Sequence, residues 1–148
     1  MFYLNPYINF GTRCAEAMTF YQSCLGGELD MHKVGDTPMA DQLPPETHDS
    51  IMHAALTVQD IVVLMGSDLR EGAGNIQETN TIALSLNCTS EDQIEDLFQK
   101  IGEGGTITHP LKTEFWGATY GDLTDKFGIR WMFNHQKAEN LEESTVTE

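Results

Sequence analysis

The chain has 148 residues, enough for one domain and too few for a multidomain enzyme. Hydrophobic residues make up 40%, which excludes a disordered chain, and 8 Lys+Arg against 23 Asp+Glu give a net charge of −15. That balance argues against nucleic acid as a partner, because clustered cations are needed to displace counterions. No apolar run reaches the ~18 residues of a membrane helix, so no membrane partner is expected. The start, MFYLNPYINFG, lacks the basic and apolar regions of a secretory signal. Cys14, Cys24 and Cys88 are too scattered for a disulfide framework and read as buried, reduced thiols of a cytoplasmic protein.

Residues 4–10, LNPYINF, read as a strand. A helix is expected over about 13–24, with Thr12 as N-cap and a stripe of Ala17, Phe20, Tyr21 and Cys24. It stops at Gly26-Gly27, and GELDMHKV forms the next strand. Residues 35–50, with Pro38, Pro44 and Pro45, read as a long exposed loop in which His48 is solvated. Two strands follow, IMHAALTV (51–58) and IVVLMGSD (61–68).

About 77 residues on, the same order returns, which marks an internal repeat. NTIALSLN (80–87) is a strand, and Ser90 with Gln93 forms a capping box. The stripe Ile94, Leu97, Phe98 and Ile101 predicts a helix ending near Gly102. Strands TITHP, FWGATYGDL (115–123) and IRWMFNH (129–135) complete a second unit, with a tight turn at Asp125–Gly128. The fold class is therefore α+β: two βαβββ modules within one domain over 1–148. Module one spans about 1–68, a linker 69–79, module two about 80–136 and a polar tail 137–148.

Alternation assigns an apolar face to each strand, to lie under the helices. The opposite face collects Asn5, Tyr7, His53, Thr57, Leu64, Thr81, Ser85, Met132 and Asn134. A curved sheet enclosing a cavity on that side would suit a small, partly apolar ligand. The alternative is a mixed face covered by a loop or a second subunit. Gly117 and Gly121 leave room for a ligand or a neighbouring strand to approach closely. His109 precedes Pro110 and reads as loop, while Asp122 and Asp125 read as turn residues.

The paired units resemble the vicinal oxygen chelate superfamily of glyoxalase I, extradiol dioxygenases and bleomycin-resistance proteins. PYINF (6–10), AMTFYQSCLGGEL (17–29), MHAAL (52–56) and TEFWGATYGDLTDKFGIRWMFN (113–134) look like its PhnB-type, YjdN-like branch, also labelled 3-demethylubiquinone methyltransferase-like. The resemblance implies an open cavity, often with a divalent metal held by His, Glu or Gln from the first and fourth strands of both modules. Those places fall near Asn5, Leu64, Thr81 and Met132, none of which is a His or Glu. No metal and no cofactor are therefore expected. The methyltransferase label also lacks support, because EGAGN (71–75) is not followed by a helix pattern.

The expected ligand-binding set is Asn5, Tyr7, His53, Leu64, Thr81, Trp116, Tyr120, Arg130, Met132 and Asn134. Phe115, Trp116 and Tyr120 are candidate aromatic walls, or else packing residues. His53 is the only catalytic candidate, as general base or ligand-orienting group; whether the protein is an enzyme stays open. The leading expectation is a metal-free binding protein for a small molecule, acting as a homodimer, which the resemblance implies. The alternatives are a glyoxalase- or dioxygenase-class enzyme with a displaced metal site, built on His53 with Glu114 or Asp68, and a partner-binding domain with no ligand. Arg130 would be the group for a phosphonate ligand.

Overall fold

The computed structural model describes residues 4–68, 82–115 and 117–136. The predicted linker and polar tail, EGAGN, Thr81 and Trp116 lie outside the described residues. The chain divides into two compact units, Met1–Gln77 and Glu78–Glu148.

In the first unit, β1 (Tyr7–Asn9) leads to α1 (Cys14–Leu25), then β2 (Glu28–Lys33), β3 (Ile51–Val58) and β4 (Ile61–Ser67). The sheet order is β1-β4-β3-β2, with β1 parallel to β4 and the other pairs antiparallel. In the second unit, β5 (Leu84–Asn87) leads to α2 (Glu91–Gly102), then β6 (Thr106–Thr113), β7 (Ala118–Thr124) and β8 (Arg130–Gln136). Its order is β5-β8-β7-β6, the same topology. Each sheet is thus a mixed four-stranded sheet with a single helix to cover it.

The helix stripes do what their spacing predicts. Ala17, Tyr21 and Cys24 are buried in α1 and Ile94, Phe98 and Ile101 in α2, while Phe20 and Leu97 are half-buried and Met18, outside the expected stripe, is fully buried. α1 packs on β3, β2 and β4, and α2 on β8, β6 and β7. One glycine in each sheet is closely covered, Gly66 by Phe10 at the end of the first strand segment and Gly121 by Phe98 of α2. A Cβ at Gly66 would sit 2.7 Å from the ring of Phe10, and one at Gly121 would sit 2.9 Å from the ring of Phe98. Gly121 therefore admits Phe98 of α2 and the neighbouring strand β6, whose His109 carbonyl would lie 3.0 Å from that Cβ, so of the two uses expected of it the close strand is the one it serves.

Several local expectations change. The N-cap of α1 is Arg13, not Thr12, and it makes no side-chain cap. The cap comes from across the unit: Asp68 Oδ1 accepts the Cys14 N–H at 2.9 Å, and Oδ2 accepts the Ile51 N–H at 2.8 Å. The 35–50 stretch is not featureless, since Val34–Asp36, Ala40–Gln42 and Pro45–Thr47 are short 3-10 turns. His48 is half-buried there, with Nε2 2.8 Å from the Ala40 carbonyl oxygen, rather than solvated. In α2 the Ser90 Oγ accepts the Gln93 N–H, while the Gln93 side chain reaches the Thr89 N–H. β6 runs on through Pro110 to Thr113, as an edge strand allows.

Candidate functional site

The face of each sheet turned away from its helix carries the candidate residues. In the first unit, Tyr7 pairs in register with Met65, Met65 with Ala55, and His53 with His32. Facing partners share a side, so Tyr7, His53, Ala55, Met65 and His32 lie together. The Tyr7 and His53 rings stack at 5.7 Å between centroids and 29° between planes. The Tyr7 hydroxyl lies 3.3 Å from His53 Nδ1. Asn5, just before β1, donates its side-chain amide to the Val62 carbonyl at 2.8 Å.

Leu64 is on the other side. It pairs with Leu56, is 2% exposed, and shares its face with Ala54 and Gly66 beneath α1. The cause is a register shift: the pairing steps from Leu56–Leu64 to Thr57–Val62, leaving Val63 as the extra residue. Such a bulge reverses the faces beyond it, so Val62 and Met65 point away from α1 while Leu64 points toward it. Leu64 is therefore a core residue and not part of a ligand face.

In the second unit, Tyr120 pairs with Asn134, Asp122 with Met132, and Met132 with Ser85. Lys112 and His109 join from β6, opposite Tyr120 and Asp122. Arg130, two residues before Met132, lies on the same side. The face that alternation predicts for Met132 and Asn134 is the face the register gives them, and Tyr120 and Arg130 share it. Its most polar feature is a chain of contacts centred on Asp122. The Tyr120 hydroxyl donates to Asp122 Oδ2 at 2.9 Å, and His109 Nδ1 lies 3.0 Å from each carboxylate oxygen. Burial pushes the Tyr120 phenol up from its ordinary value, and the Asp122 contact adds to this, against an opposing pull from Arg130. The phenol thus stays a donor at neutral pH.

His109 and Asp122 escape the sequence reading because one is read as loop and the other as turn. Both are strand residues. The usable signal is the pairing of TITHPLKT with ATYGDLT, which sets His109 opposite Asp122. Asp125, by contrast, is the turn residue expected. One of its oxygens accepts the Phe127 and Ile129 N–H groups at 2.8 and 3.0 Å, and the other accepts Trp131 Nε1–H at 2.9 Å.

The residues at the superfamily's metal positions do not fit a hard divalent ion. Asn5 donates its amide N–H to Val62 and leaves one neutral amide oxygen as the single hard donor, Leu64 is in the core, Met132 offers a thioether, and Thr81 lies outside the described residues. Correcting the β4 register brings Met65 or Val62 to the face, and neither is a hard donor. Asp68, the other partner suggested for His53, has both oxygens committed to backbone N–H groups. Among the described residues, no three His, Cys, Asp or Glu side chains converge as a metal site.

This architecture, a repeated βαβββ unit with a polar sheet face, is that of the Glyoxalase/Bleomycin resistance protein/Dioxygenase superfamily. The family model matches residues 4–133, and the chain belongs to that superfamily. Among particular relatives, it is similar to protein YjdN of Escherichia coli (strain K12). The two are 28% identical over 141 residues, covering 88% of this chain and 93% of that protein. Protein PA1353 from Pseudomonas aeruginosa is 37% identical, with a TM-score of 0.79 over 92% of this chain and 98% of that one. A Bacillus cereus protein described as a putative 3-demethylubiquinone-9 3-methyltransferase, PhnB protein, shares the fold at 24% identity. Its TM-score is 0.71, over 89% of this chain and 98% of that chain. Among the described residues, no helix is long and apolar enough to cross a membrane.

Proposed function

We propose that the chain is a cytoplasmic, metal-free binding protein for a small, partly apolar molecule, and that it acts as a homodimer. The ligand is taken up on the sheet faces turned away from α1 and α2. The observation that carries this reading is the side-chain chemistry of those faces. Where relatives with a metal are expected to use His, Glu or Gln donors at four positions, this chain has one neutral amide, an aliphatic core residue and thioethers. What the faces do offer is stacked Tyr7 and His53 in one unit, and Tyr120, Met132 and Asn134 in the other. Aromatic and thioether groups suit apolar ligand surface, and the flanking amides and hydroxyls fix its orientation.

The test is a calorimetric screen of small aromatic and aliphatic compounds without added metal. Saturable binding that weakens about tenfold in Tyr7→Ala or Met132→Ala, with unchanged melting temperature, is the expected result. Binding that appears only with an added divalent ion would contradict the reading. Alkylphosphonates belong in the same screen, with Arg130→Ala as the variant that abolishes their heat if Arg130 receives them. Sedimentation equilibrium at micromolar concentration tests the homodimer, which a monomer mass would overturn.

A further inference from the structure

We propose that His109 is an oriented hydrogen-bond acceptor, through Nε2, for a planar neutral ligand with an N–H or O–H donor on its edge; this rests on the reading that these sheet faces take small molecules. Asp122 sets the tautomer of the His109 ring. Its carboxylate only accepts hydrogen bonds, and both oxygens stand 3.0 Å from His109 Nδ1. The hydrogen between them therefore belongs to the imidazole. In the neutral ring a proton on Nδ1 leaves the lone pair on Nε2.

The carboxylate is also a firm post. Tyr120 donates to it from the same strand, and its side chain is 13% exposed. The His109 side chain is 68% exposed, so the ring is anchored at one nitrogen and open at the other. Nε2 has no hydrogen-bond partner among the described residues. A carboxylate behind an imidazole fixes its tautomer and direction, which is how a histidine becomes a directional acceptor.

The surroundings set the ligand's shape and charge. Met132 is the register partner of Asp122, and Tyr120 lies two residues from Asp122 on the same side. Tyr120, whose hydroxyl shares the Asp122 carboxylate with His109, adds an aromatic ring on the side of the acceptor, and Met132 adds a soft thioether one strand further along the face. At Nε2 itself, with Asp122 immediately behind the ring and a bare lone pair in front, an anion is disfavoured, the cations Lys112 and Arg130 standing elsewhere on the face, at Tyr120 and at the start of β8. A flat, neutral molecule with one edge donor meets all three conditions.

Indole and benzofuran isolate that donor, since they match in shape and differ in the N–H. Calorimetry on the intact protein should give indole about a fivefold tighter dissociation constant, as one hydrogen bond warrants. His109→Phe should bring the ratio to one. Asp122→Asn should do the same or invert it, because a carboxamide can donate to Nδ1 and move the ring proton to Nε2. Ring-nitrogen NMR of the unaltered protein checks the tautomer without relying on either variant's folding. A protonated Nδ1 and a bare Nε2 are expected in the neutral ring, and a proton on Nε2 would overturn the proposal. Equal affinity for the two compounds overturns the acceptor role and leaves small-molecule binding standing. Failure of both to bind overturns the acceptor role and counts against aromatic binding itself.

Discussion

The two units share one topology, yet they secure their helices in different ways. α1 has no side-chain cap of its own and borrows Asp68 from the end of β4. α2 carries its cap in its own sequence, Ser90 with Gln93. The polar faces differ in the same sense. The first unit has a stacked Tyr7–His53 pair with a long 3.3 Å contact, while the second has a three-residue chain anchored on a nearly buried carboxylate. A repeated fold thus fixes where the helix and sheet go, and leaves each copy to find its own way of satisfying the polar groups that result.

The two helix starts differ most at high pH. The Cys14 thiol, at the start of α1, is pushed up to about 12 from 9.0 by burial and by the Asp68 charge. A helix N-terminus ordinarily lowers a thiol's pKa, so burial and Asp68 outweigh it here. Cys88, just ahead of α2, is raised by burial alone. The unfolded chain loses the Cys14 proton first as pH rises past 9, so stability is intact below that pH and falls through about 12. Three pKa steps correspond to about 4 kcal/mol at full ionisation. Denaturant titrations between pH 8 and 11 should show this slope, and Cys14→Ala should flatten it more than Cys88→Ala.

Removing the two carboxylate posts sharpens the contrast at neutral pH. Asp125→Ala strips three donors of their acceptor, including the Trp131 indole N–H, and should cost about 3 kcal/mol by urea unfolding. Asp68→Ala strips two backbone donors and should cost about 2 kcal/mol, with amide exchange speeding up in the first turn of α1. Ser90→Ala should cost about 1 kcal/mol, with faster exchange confined to α2. Tyr7→Phe should change stability by less than about 0.5 kcal/mol, because Tyr7 is 47% exposed and its hydroxyl contact is long.

The sequence makes plain the features that depend on neighbours along the chain. The stripes of α1 and α2, the Ser90–Gln93 box and the Asp125 turn all rest on spacings of four residues or fewer. Faces are legible while strands alternate without interruption, as for Tyr7, His53 and Met132. Leu64 is not, because a bulge is a property of two paired strands and leaves no mark within β4. The Asp68 cap is hidden for the same reason, since Cys14 lies 54 residues away. His109 and Asp122 are hidden by their neighbours, Pro110 and Gly121, which read as loop and turn until β6 and β7 are paired.

The polar sheet faces are proposed to bind a small molecule without a metal ion. Metal analysis of protein purified without a metal-affinity tag tests this most directly. The protein would be measured before and after anaerobic incubation with zinc, nickel, manganese and iron(II), then desalted. No stoichiometric ion should remain under any condition. About one tightly held ion per chain would contradict the account and point to imidazoles such as His53 and His109 as the ligands to remove next.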